Sequence, residues 1–177
     1  DTIIGNFLYY IAKLVPANRI EIKVWDDDSD YLIPYSLVSE GEDKKLSIGT
    51  RLEKMPEGIS GTILKTNQSI WIDDIDETGF KVLEPRNEVL SFQSVMGFPL
   101  LFEHEVLGTL EFFGFGVGSF SEVQKGMIEK MIPLLASTLN NAALFKVEKQ
   151  RANELYTLAQ LARSTSQSQE LETNIQH

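Results

Sequence analysis

The chain has 177 residues, 42% of them hydrophobic and 24% charged, which is enough to bury one core and carry an appended element. With 16 basic against 26 acidic side chains the formal charge is -10, so no strong positive field draws nucleic acid or anionic lipid, and neither is expected as a partner. The absence of cysteine excludes disulfides, thiolate metal sites, cysteine nucleophiles and thioether-linked cofactors.

Ile3, Ile4, Phe7, Leu8, Ile11, Leu14 and Val15 recur at helical spacing, which predicts an amphipathic helix that stops before Pro16. From Arg19 the period becomes two. Ile20, Ile22 and Val24 alternate with Glu21, Lys23 and Trp25, the pattern of a strand with one buried face. Asp26, Asp27, Asp28, Ser29 and Asp30 then read as a charged turn. A calcium loop would begin on Asp26, Asp28 and Asp30, but Tyr31 replaces its glycine and Leu37 its bidentate glutamate. A second strand is expected over Tyr31 to Ser39 and a third near Leu46 to Leu52.

Pro56, Glu57 and Gly58 open a helix over Ile59 to Lys65, since proline in a first turn costs no hydrogen bond. Ser69 to Ile72 is a brief strand. Asp73 to Leu90 mixes acids, Gly79, Pro85 and scattered apolar residues without a sustained period, an irregular and partly helical connection. Two long strands follow, Phe92 to Phe102 and Val106 to Phe113, and the short link Glu103, His104 and Glu105 forces them to be antiparallel. Gly114, Gly116 and Gly118 lie between a strand and a helix, yet the spacing of a dinucleotide fingerprint fails at Ser119 and its strand context is wrong.

Ser121 and Gln124 form a capping box for the last helix, whose apolar stripe is Ile128, Ile132, Leu135, Leu139 and Ala142. Pro133 should bend it. Nothing breaks the pattern again until about Arg163, and ~30 residues at ~1.5 Å each make ~45 Å, more than the globule can cover. The helix is expected to leave the domain. In this overhang Leu144, Val147, Leu158 and Leu161 share a heptad seam with Arg151, Glu154 and Thr165, which suits a self-associating connector, while Ser164 to Ser168 should fray. The organisation is thus a domain over 1–145 and a connector over 146–177 toward an effector or another domain. Glu172 to Ile175 echoes Asp1 to Ile4, as if a second helix-first domain were to begin. No apolar run approaches the ~20 residues of a membrane span, the cysteine-free composition suits a cytoplasmic setting, and a chain beginning at Asp1 reads as an excised piece.

The stretch Gly58-Ile59-Ser60-Gly61-Thr62-Ile63-Leu64-Lys65-Thr66, followed by Ser69-Ile70-Trp71-Ile72-Asp73-Asp74, Phe98-Pro99-Leu100, Val106-Leu107-Gly108-Thr109-Leu110-Glu111-Phe112 and Phe120-Ser121, resembles a GAF domain over about Asp1 to Phe145. The resemblance implies an α+β fold: a central antiparallel sheet with the first and last helices on one face and the irregular Asp73 to Leu90 segment roofing a ligand pocket on the other. It also implies a sensory module of a bacterial-type signalling protein that binds a small molecule and passes its state through the last helix. A ligand-free dimerisation module is the alternative, and homodimers through the terminal helices suit both.

The candidate pocket residues are Trp71, Asp73, Asp74, Phe80, Phe92, Phe98 and Phe112; each aromatic could equally be core. Covalent bilin attachment and the methionine sulfoxide reductase activity of some family members need cysteine, which is absent. Cyclic-nucleotide-binding members are similar to each other in an Asn-Lys pair and a Phe with Asp-Glu four places on. Gly114-Phe115 and Gln124-Lys125 stand there instead, so a cyclic nucleotide is unsupported. Haem is unsupported too, because the only histidines are His104, in the hairpin turn, and His177, at the terminus. No catalytic set can be assembled, and this piece is not expected to be an enzyme, whatever effector the full-length protein carries.

Overall fold

In a computed structural model, which describes residues 2–26, 31–40, 43–49, 58–78 and 92–175, ten elements follow one another. Helix α1 (Thr2–Leu14) precedes strands β1 (Arg19–Trp25), β2 (Leu32–Glu40) and β3 (Asp43–Ile48). Helix α2 (Ile59–Thr66), strand β4 (Ile70–Ile72) and the single turn α3 (Ile75–Thr78) come next. The hairpin β5 (Ser94–Phe102) and β6 (Glu105–Gly114) leads into helix α4 (Glu122–Ile175). The third strand begins earlier than its hydrophobic pattern predicts, because Lys44 and Lys45 pair with Ser39 and Val38 of β2.

The six strands form one antiparallel sheet in the order β3-β2-β1-β6-β5-β4. β1 and β6 therefore lie at its centre. The β5–β6 hairpin turns on Glu103 and His104, with Glu103 at φ 54°, and a register shift between Leu100 and Leu101 marks a bulge. Gly108 sits beside that bulge, where a Cβ would overlap the Lys23 carbonyl oxygen of the neighbouring strand.

Along the central strands, alternate side chains feed two different cores. Ile20 and Ile22 of β1, Met96, Phe98 and Leu100 of β5, and Leu110 and Phe112 of β6 face Ile4, Leu8, Ile11 and Val15 of α1. Ile128, Leu135 and Leu139 of α4 belong to the same cluster. The terminal helices thus cover one sheet face, as the resemblance implies. On the opposite face Ile59 and Ile63 of α2 pack with Ile72, Ile75, Phe92, Val95 and Phe113. Gly97 of β5 makes room for α2, since a Cβ there would stand 2.6 Å from Ile63 Cδ1. The segment expected to roof this face lies, from Gly79 to Ser91, outside the described residues, as do Pro56 and Glu57 before α2 and the acidic turn from Asp27 to Asp30.

Ser121 caps α4 as predicted: Gln124 N–H donates to Ser121 Oγ (3.3 Å) and Ser121 N–H donates to Gln124 Oε1 (2.8 Å). The helix then runs 54 residues to Ile175, past Pro133 and well beyond the expected stop at Arg163. Helical continuity through Ser164 to Ser168 reflects how weakly serine opposes an established helix compared with glycine or proline. The chain divides into two units, 1–139 and 140–177. In the second, Leu144, Phe145, Leu155, Tyr156, Leu158 and Leu161 are all exposed. Among the described residues no helix is long and apolar enough to cross a membrane.

Candidate functional site

The face of the sheet under α2 carries a row of charges where a strand with a single buried face would point into water. β1 lies inside the sheet between β2 and β6, and on its odd-numbered face Arg19, Glu21 and Lys23 are all buried. Glu111 of β6 lies directly across from Glu21 and is 1% exposed. Two carboxylates opposed across a ladder repel. Lys23 resolves the conflict, its Nζ donating to Glu111 Oε2 at 2.7 Å, with Glu21 Oε2 at 3.0 Å.

The remaining bonds of this row are nearly complete. Lys23 Nζ also donates to Ser60 Oγ of α2 (2.6 Å), and Thr109 Oγ1 donates to Glu111 Oε1 (2.6 Å). Arg19 Nη2 donates to Glu21 Oε1, which also accepts from Ser36 Oγ (2.7 Å). Charge alternates along the row, Arg19, Glu21, Lys23, Glu111, so the set is neutral as a whole. Burial pushes the Glu21 carboxyl up, but the Lys23 and Arg19 charges, with bonds from Ser36 and Lys23, outweigh it and hold the group at about 2. Burial likewise opposes the charge on Lys23, and the two glutamates overcome that and raise its pKa above the ordinary 10.5. Glu21 and Lys23 are therefore held charged at neutral pH by their neighbours.

One donor is unspent. Arg19 Nε is buried and has no hydrogen-bond partner among the described residues. Arg19 stands at the border between the polar row and the apolar cluster under α2, opposite Phe113 on β6 and Val38 on β2. Phe113 packs at 5.0 Å from Phe92, which in turn stacks on the exposed Phe115 at 5.4 Å. A floor of this kind offers an acceptor-bearing small molecule one charged donor beside aromatic surface. Among the described residues no cluster of His, Asp or Glu could hold a metal ion.

The sequence-predicted pocket residues separate on the structure. Phe92 belongs to the apolar cluster on the α2 side. Phe98 and Phe112 do not: alternation turns both toward α1 and α4, where they meet edge to face at 6.3 Å within the main core. Trp71 pairs with Met96 and so shares that helical face, with Lys125 Nζ of α4 4.7 Å from its ring centroid. Its Nε1 donates to Asp73 Oδ1 (2.7 Å). Asp74 caps the α3 turn, accepting from Asp76 N–H at 3.0 Å, and Phe80 lies outside the described residues. Trp71, Phe98 and Phe112 thus stand on the helix side of the sheet, and not on the face under α2.

The buried polar row was not anticipated. In β1 the alternation of charged and apolar residues is the same whether the charged face meets water or a second layer. The usable signal lay in β6, where Glu111 is the only ionised residue between Val106 and Gly114, an acid that an enclosed strand tolerates only with a cation brought to it.

A GAF domain family model matches residues 19–140. The chain is similar in structure to the GAF domain of an Acinetobacter phosphoenolpyruvate-protein phosphotransferase (TM-score 0.64, 17% identity, 78% of this chain and 80% of that one). It is also similar to the GAF domain of a two-component sensor histidine kinase from Bacillus halodurans (0.60, 19%, 82% and 96%). A third likeness is to the type II free methionine-R-sulfoxide reductase of Thermoplasma acidophilum (0.61, 13%, 77% and 89%). At these identities the likenesses establish the fold. No curated protein matches the chain significantly.

Proposed function

The chain belongs to the GAF domain family, whose members serve as sensory and regulatory modules of signalling proteins, and from that premise we propose that it binds a small molecule over the polar floor between β1, β6 and α2. The buried row Arg19, Glu21, Lys23 and Glu111 carries the reading. Burying four ions costs several kcal/mol each before pairing returns it, and apolar side chains of similar volume would make an equally stable or more stable sheet face. A row of this form, with Arg19 Nε unpartnered among the described residues, suits recognition better than architecture. Ligand and α2 would compete for the same groups, because Ser60 already occupies Lys23.

Transmission to α4 has a short route within the domain. α2 passes into β4 through three residues, and β4 with the turn after it is tied once to the loop before α4 and once to α4 itself. Gly118 N–H donates to the Asp73 carbonyl (2.9 Å), and Lys125 lies over Trp71. The ligand must bind two states unequally to shift anything. Differential scanning fluorimetry against a metabolite and nucleotide panel tests the proposal. A compound present at ~100-fold its Kd adds ~2.7 kcal/mol of stability and raises Tm by several degrees, and Arg19→Met should abolish the rise. A panel in which no compound raises Tm removes ligand sensing.

A second reading, dimerisation through the helices, is favoured by a separate observation: Leu144, Leu158 and Leu161 are more than half exposed in residues 140–177. Single apolar residues on a surface are ordinary; several at heptad spacing on one helix are not. Sedimentation of the chain with and without residues 145–177 tests it, and a monomer in both cases ends it.

A further inference from the structure

We propose that residues 144–161 of α4 pair with the same segment of a second copy of this chain in antiparallel orientation. The orientation rests on the dimer proposed above and fixes what that reading leaves open. The seam consists of Leu144, Val147, Arg151, Glu154, Leu158 and Leu161, spaced alternately three and four residues apart on one helix face. Its apolar members are 56, 37, 58 and 62% exposed at Leu144, Val147, Leu161 and Leu158, and Arg151 and Glu154 are exposed between them.

The order of side chains decides between the two orientations. In a parallel pair each residue meets its own copy, so Arg151 would face the partner's Arg151 and Glu154 the partner's Glu154. Two adjacent layers at the middle of the seam would then hold like charges out of water, which is strongly unfavourable. Reversing one helix about a two-fold axis between Ala152 and Asn153 changes every layer. Leu144 then meets the partner's Leu161, Val147 meets the partner's Leu158, and Arg151 meets the partner's Glu154. The seam is thus complementary to its own reverse, with apolar layers outside and a pair of salt bridges at the centre. The segment spans ~26 Å, and the antiparallel arrangement loses none of it to mismatch.

The absence of native cysteine makes the test direct. Val147→Cys and Leu158→Cys are made separately in the full chain and oxidised, each alone and mixed, at a concentration where sedimentation finds dimer. Antiparallel pairing predicts a disulfide-linked dimer from the mixture and none from either variant alone, because in a self-pair the two copies of residue 147 lie ~16 Å apart along the axis while a disulfide tolerates ~7 Å between Cα atoms. Efficient cross-linking of each variant with itself overturns the orientation and leaves the dimer standing. Monomer at every concentration overturns the dimer, and the orientation with it.

Charge reversal gives an independent readout. In the antiparallel pair Arg151→Glu sets acid against acid and raises the dimer Kd by ~10-fold or more, and adding Glu154→Arg to the same chain restores it. A parallel pair holds like charges in all of these variants and shows no such loss and recovery. Equal dimer affinity in the three chains overturns the proposal.

Discussion

Replacing Lys23 by methionine removes the cation that separates two buried glutamates, and the cost can be worked from its contacts. The Nζ group donates to Glu111 (2.7 Å) and Ser60 (2.6 Å) and lies 3.0 Å from Glu21. Glu21 keeps Arg19 and Ser36 after the change. Among the described residues Glu111, 1% exposed, keeps only the Thr109 hydroxyl. Removing one member of a buried ionic set while its partner remains costs about 3–5 kcal/mol, and that is the loss expected at pH 7 from urea unfolding followed by circular dichroism.

Adding Glu111→Gln to Lys23→Met removes the lone charge outright and should recover about 1–2 kcal/mol, a coupling that a double-mutant cycle reads directly. A deficit below about 1 kcal/mol at pH 7, or no recovery in the double variant, would refute the account of the row as mutually dependent charges.

Wild-type stability should hold a plateau from about pH 5 to 10. Glu21, whose folded pKa is lowered to about 2 against an ordinary 4.5, stabilises fully above the ordinary value and loses that contribution as pH falls through about 2, roughly 3 kcal/mol in all. Lys23, whose pKa is raised, stabilises fully below its ordinary 10.5 and loses that contribution as pH rises through the raised value. An acid limb that begins above pH 6 in denaturation profiles would contradict this. Gly108→Ala forces a Cβ onto the Lys23 carbonyl oxygen and should cost more than about 3 kcal/mol, read as a fall in Tm of 10 °C or more. Gly126→Ala, in α4 with nothing within 4 Å of its Cβ, should instead stabilise by about 0.5–1 kcal/mol; a loss of Tm there would mean the space is taken.

Local signals were sufficient for the elements. Pro16 ends α1, the period of two begins at Arg19, and the Ser121–Gln124 box starts α4, each within two residues of the expectation. These features are written in neighbouring residues and need no tertiary context. The end of α4 was misplaced because Ser164 to Ser168 are weak helix formers rather than breakers, and nothing after Pro133 supplies the glycine or proline that would stop a helix already formed.

The site was harder to read for a reason that lies in sheets generally. Alternation tells which residues share a face but never which face meets water; that depends on the layer packed over each, and here Ser60 of α2 meets Lys23 from 37 residues away in sequence. The same rule applied across the register would have separated the aromatics. Phe98 and Phe112 pair with Leu110 and Met96, all on the side of Ile20 and Ile22, whereas Phe113 pairs with Arg19. Once Ile20 and Ile22 are assigned to the helices, Arg19, Glu21, Lys23 and Glu111 have to share the other face. Being enclosed there, they have to pair with one another, and in the arrangement observed Lys23 stands between the opposed Glu21 and Glu111.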